Sequence, residues 1–115
     1  MLKAFFKHDE KLDFAYQPTA DGQNLRPDTS SQGALTVEGE LNKLTSNIAI
    51  GRNWAGVHYF TDYIEGIRLG EKIAVSILEE QAYTFVEDFS MTIPTFDRET
   101  LRITKKGSRV RVRLR

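Results

Sequence analysis

Residues 36–81 read TVEGELNKLTSNIAIGRNWAGVHYFTDYIEGIRLGEKIAVSILEEQ, and the spacing of their apolar positions decides the fold. Val37, Leu41, Leu44 and Ile48 recur at steps of four, three and four, which is one face of an amphipathic helix. Thr36 has the hydroxyl of an N-cap, and Glu38 and Glu40 suit the positive end of the helix dipole. This helix is expected to end near Gly51–Asn53. After Gly56 the pattern resumes through Phe60, Ile64, Ile67, Ala74, Ile77 and Leu78, which predicts a second helix over 57–81. Gly66 and Gly70 either weaken that helix by up to about 1 kcal/mol each against Ala or allow a neighbouring element to approach closely.

The flanks read differently. Residues 1–8 suit the last turns of a helix, with Leu2, Phe5 and Phe6 on one side. From Lys11 to Gly33 the chain is rich in Pro, Gly, Asp, Asn, Ser and Thr, with Pro18, Asp21-Gly22 and Pro27 as breakers, and reads as one long irregular segment. Loops of that length usually lie over something larger, so the segment hints at a missing part of the surface. From Tyr83 the period becomes two. Phe89, Met91 and Ile93 alternate up to Pro94, Leu101 and Ile103 follow, and Val110, Val112 and Leu114 alternate with Arg109, Arg111, Arg113 and Arg115. This predicts a small antiparallel sheet with a turn over 105–108. The expected class is α+β, mainly helical. One partial domain divides into an N-terminal segment and loop (1–33), two helices (34–82) and a β-rich tail (83–115).

Composition sets the limits. At 115 residues the chain is one domain's worth, and a compact domain of that size buries roughly two-thirds of its unfolded surface. Sixteen basic residues balance sixteen acidic ones, so overall charge points to neither nucleic acid nor membrane. Forty per cent hydrophobic residues and a mean hydropathy of −0.41 read as a soluble globular chain. No apolar run approaches the roughly 18 residues of a membrane helix, and MLKAFFKHDEKL is charged too early for a signal peptide. With no cysteine there are no disulfides, thiolate nucleophiles or cysteine metal sites; the expected location is the cytoplasm.

Chemistry concentrates in GRNWAGVHYFTD, residues 51–62. Arg52 offers a planar fork of permanent charge to the oxygens of a tetrahedral oxyanion. His58 supplies a nitrogen that can attack or ligate. Asp62 follows four residues later, so on a helix it shares the histidine's face and could orient the ring. The spacing alone is weak: the histidine could equally be a packed or solvated residue, the arginine a helix-end cation and the aspartate a surface acid.

The wider stretch ELNKLTSNIAIGRNWAGVHYFTDYIEGIRLGEKIAVSILEEQ resembles the last motif region of the vanadium-dependent haloperoxidases and their acid-phosphatase and type 2 phosphatidic acid phosphatase relatives, the soluble bacterial bromoperoxidase-like members in particular. EDFSMTIPTFD, residues 87–97, resembles the segment that closes such proteins, and the likeness spans about residues 34–103. The family's third motif, Ser-Arg, five residues, His, three residues, Asp, stands here as Gly51-Arg52, His58 and Asp62. The resemblance implies that Arg52 binds vanadate or phosphate oxygens. It makes His58 the vanadate ligand in a peroxidase or the nucleophile in a phosphatase, with Asp62 holding the ring. It implies vanadate as cofactor and a helical bundle as the parent fold.

Departures shape the functional expectation. Gly51 replaces the serine. The family's second motif, Pro-Ser-Gly-His, is absent, and the only other histidine is His8. The first motif has no counterpart, Arg26-Pro27 being a coincidental pair with Lys7 and Lys11 at the wrong distances. The chain is therefore expected to be a truncated haloperoxidase/phosphatase-type protein that keeps part of an oxyanion site and is inactive alone. It would be a homo-oligomer or the partner of a missing N-terminal portion. The alternative is a non-catalytic oligomeric structural or interaction module. A third reading has the tail KKGSRVRVRLR bind nucleic acid; the preferred view is a strand whose arginines face water.

Overall fold

The computed structural model describes all 115 residues. Its elements in chain order are α1 (Leu2–Phe5), β1 (Tyr16–Pro18), β2 (Leu25–Pro27), α2 (Val37–Trp54), α3 (Phe60–Thr84), β3 (Phe89–Pro94), β4 (Thr100–Lys106) and β5 (Arg109–Leu114). Helix accounts for 41% of the chain and strand for 23%, so the class is α+β.

α2 begins where the sequence places it. The Thr36 hydroxyl accepts the Gly39 amide at 3.1 Å. The next free amides are met by the preceding chain, Val37 donating to the Glu10 carbonyl and Glu38 to that of His8. α3 differs from expectation by three residues at each end. Gly56 takes a left-handed φ of +70°, which stops helical propagation, and the helix starts only once the Asp62 carboxylate can accept the amide of Tyr59 (3.0 Å).

The long segment after Lys11 is not irregular throughout. β1 and β2 form an antiparallel ribbon in which Tyr16 faces Pro27 and Pro18 faces Leu25. Asp21-Gly22, read as a breaker, is its turn: Gly22 has φ +69°, and the Asp21 carboxylate accepts the Gln23 amide at 3.1 Å. A bridge between Lys11 and Thr36 then returns the chain to the start of α2.

β3, β4 and β5 make a meander. The β4–β5 turn is the two residues Gly107-Ser108, of which only Gly107 (φ +55°) has a positive φ. This suits a glycine-first hairpin turn whose twist matches the strands. Register puts Ile103 opposite Met91 and Val112, and so gathers the apolar side chains on one face. Against that face lies the C-terminal half of α3. Leu78, Ala82, Leu101, Ile103 and Val110 form the core, with Ile103 and Ala82 fully buried. α1 adds Ala4, while Lys3 donates to the Pro94 carbonyl (3.2 Å) and pairs with Glu38 (3.4 Å).

Away from this core the chain is open. The radius of gyration is 17.5 Å, against about 13 Å for a compact chain of this length. The accessible surface is 8675 Å², on the order of 2,000 Å² more than size predicts. Large apolar side chains contribute to it. Leu44, Ile48 and Phe60, which the periodicity assigned to buried helix faces, are all more than half exposed. Nor does any element approach Gly66 or Gly70: a Cβ at either would meet nothing within 4 Å. Both line an apolar groove of about 490 Å³ with Leu41, Ile48, Ala74 and Leu101.

Ile103→Ala should therefore cost about 2–5 kcal/mol in denaturant unfolding, and Ile48→Ala under about 1 kcal/mol, since only the first creates a cavity. Equal losses at the two positions would show that the α2 face is covered in solution. Acid should loosen the turn after β2. Hydroxyl groups of Ser30 and Ser31 hold the Asp28 carboxylate below its ordinary range. A folded pKa below the unfolded one stabilises at higher pH and is lost as pH falls. The Ser30 amide signal should thus shift below about pH 4 and stay fixed above it.

Candidate functional site

The three residues named by the motif lie at one end of the α2–α3 hairpin. Arg52 is in the last turn of α2, exposed and engaged in no hydrogen bond or ion pair. His58 belongs to the five-residue connection 55–59, and Asp62 to the first turn of α3. The helical expectation for His58 thus fails, because the helix begins two residues after it. The contact it was meant to explain is nevertheless present: His58 Nδ1 lies 3.3 Å from Asp62 Oδ2. The same oxygen accepts the Tyr59 amide at 3.0 Å. Helix capping, and not a shared helix face, brings the carboxylate to the ring.

This double use has a chemical consequence. A proton on Nδ1 would be accepted by that carboxylate and would leave the Nε2 lone pair free for a ligand. Nε2 has no partner within the chain. The Asn53 amide, donating to the His58 carbonyl at 3.4 Å, holds the connection from the α2 side. Asn53 was not anticipated from sequence, although Asn followed by a glycine three residues on is a turn signal. The pair is open, with side chains 42% and 50% exposed; such contacts contribute about 0–1 kcal/mol.

Arg26 lies elsewhere. β2 packs on β1 alone among the helices and strands, so Arg26-Pro27 does not join the motif. His8 is tied to the Thr92 carbonyl (3.2 Å) and stands 3.9 Å from Glu38, at the opposite end of α2. Lys7 pairs with Glu10. No group of three or more acidic or imidazole side chains could hold a metal cation. No helix is long and apolar enough to cross a membrane.

No family model and no solved structure matches the chain. Curated proteins do. The vanadium-dependent bromoperoxidases of Corallina officinalis and Corallina pilulifera are each 50% identical to it over 103 residues, 90% of this chain. That of Ascophyllum nodosum is 38% identical over 109 residues, 94% of the chain. The chain spans 17% of the length of the two Corallina proteins and 20% of the third. Over the stretch it shares with these relatives, the chain belongs to the vanadium-dependent haloperoxidase family.

Proposed function

We propose that the chain is the oxyanion-motif portion of a haloperoxidase-type domain, corresponding to the C-terminal part of its relatives. In this reading it holds half of a vanadate or phosphate site and is inactive until the other half is supplied. The observation that carries it is the His58–Asp62 pair, built into the start of α3, with no partner for Nε2 within the chain. Arg52 supplies the permanent charge. These residue types suit an oxyanion: the imidazole nitrogen would ligate it and the guanidinium fork would bind its oxygens. Vanadate, when bound, would supply the halide-oxidising chemistry with peroxide; the chain's own residues bind, orient and hold the imidazole proton at Nδ1.

Energetics argues against activity from this half alone. A single preorganised stabiliser is worth about 2.7–4 kcal/mol, and a second histidine, a lysine and an arginine of the family's first two motifs have no counterpart here. Moreover, the site is open to water, which weakens every charge interaction in it. The open groove agrees with a domain that needs more chain. Gly66, Gly70 and Ala74 line the groove from one face of α3 at four-residue spacing, and a Cβ at either glycine would meet nothing within 4 Å.

Purified chain should show no peroxide-dependent bromination with vanadate. Activity should appear on mixing it with the Corallina officinalis relative from which the matching stretch has been removed, and Arg52→Ala should abolish the gain. Bromination by the chain alone would overturn the half-site reading, and a mixture that associates but stays inactive would remove the catalytic role. Asp62→Ala should cost about 1 kcal/mol through the lost cap and free the His58 ring, which Asp62→Asn should partly restore; thermal unfolding and imidazole NMR read the two effects separately.

A second reading, a non-catalytic oligomeric module, is favoured by the excess accessible surface and its exposed apolar side chains alone. An excess on the order of 2,000 Å² is what an obligate interface buries. Light scattering giving a dimer or larger would support that reading, and a monodisperse monomer would contradict it.

A further inference from the structure

The two faces of the β3–β5 sheet are chemically opposite. One is the apolar face that packs on α3. On the other, register sets Arg102 directly opposite Arg113 and Lys106 directly opposite Arg109, with Arg111 between them. Like charges placed across a strand pair repel and destabilise the sheet. Nothing in the chain relieves this. None of the seven ion pairs involves these residues, and Arg102 reaches only the Ser90 hydroxyl, at 2.9 Å. Asp88, across β3's start, is turned to the Gly107 amide (2.7 Å).

Charge is also segregated along the chain. Residues 100–115 contain seven of the sixteen basic residues and none of the sixteen acidic ones, so a chain of zero net charge carries a strongly positive end. Six of the seven, all but the buried Lys105 on the opposite face, line a shallow concavity that has no hydrophobic lining residue. They form a grid with a spacing of about 6.7 Å along each strand and about 4.8 Å between strands.

We propose that this face is a docking surface for the phosphate backbone of a nucleic acid. Three features select that occupant. Protein–protein interfaces take their affinity from buried aromatic and apolar anchors, and this face has none. Single-stranded nucleic acids need aromatic platforms for their bases, which are also absent, leaving the backbone of a duplex as the element read. Guanidinium groups predominate, and their fork matches phosphate oxygens two at a time. Binding of this kind is sequence-independent and driven by counterion release. The sequence alone favoured solvated arginines; only the fold shows them gathered on one side with no counter-charge.

The test is fluorescence anisotropy of a labelled duplex titrated with the full chain at several salt concentrations. With four or five phosphates neutralised, the log–log salt slope should be about −4, which weakens binding by roughly two orders of magnitude or more between 50 and 200 mM salt. Arg111→Gln should reduce the slope by about 1 irrespective of DNA sequence. Arg111→Lys should retain it, and Lys43→Gln on α2 should change nothing. Circular dichroism of each variant separates lost binding from lost fold. Absence of an anisotropy change at 50 mM salt would overturn the proposal, as would a salt-independent one or displacement of the duplex by poly-L-glutamate at equal charge concentration. None of these outcomes bears on the oxyanion motif, which lies on other elements.

Discussion

The seating of α3 on the apolar face of the sheet is the constraint on which the rest depends. Ile103 and Ala82 are the only side chains fully removed from water, and Leu78, Leu101 and Val110 close around them. Burial at about 25 cal/mol per Å² of apolar surface makes this contact the principal stabilising one. Everything else is arranged by it. The same β4 and β5 residues that supply the core must, by strand alternation, send their intervening side chains outward, which is why the arginines share a face. The same α3 that is anchored at its C-terminal half carries Asp62 at its other end, and the open groove lies between α2, α3 and the edge of the sheet at Ile93, Pro94 and Leu101.

At the N-terminal end of α3 a single carboxylate has two roles. Asp62 satisfies the Tyr59 amide, which would otherwise be an unpaired donor at the helix start, and receives the His58 ring. Position of the imidazole is thus coupled to formation of α3. Because the connection is short and is held at Gly56 and Asn53, the histidine has little freedom to leave the mouth of the hairpin. Local geometry is therefore built for a ligand, while enclosure is not: there is one arginine, half-exposed partners and water on the remaining sides.

Periodicity made the helices legible, because amphipathic spacing and a Thr cap are local signals, and it made the sheet legible for the same reason. The ribbon at 16–27 was hidden because Asp-Gly and Pro mark both an irregular loop and a tight turn, and pairing across the ribbon is not a local property. The start of α3 was misplaced because apolar spacing runs on through Val57 while the cap chemistry at Tyr59–Asp62 sets the boundary. The motif residues were found by their spacing and by likeness, yet the reason that His58 meets Asp62 could only be seen in three dimensions. Burial was over-read: residues such as Leu44 and Ile48 have core-like spacing yet are more than half exposed.

The central claim is that His58, Asp62 and Arg52 act together as an oxyanion half-site. Imidazole and guanidinium NMR of the intact chain, titrated with vanadate and then phosphate, tests it most directly. The account predicts saturable shifts of His58 and Arg52 in the millimolar range, a free energy of about −4 kcal/mol, lost in Arg52→Ala and His58→Ala. Signals that stay unchanged at millimolar anion would contradict it.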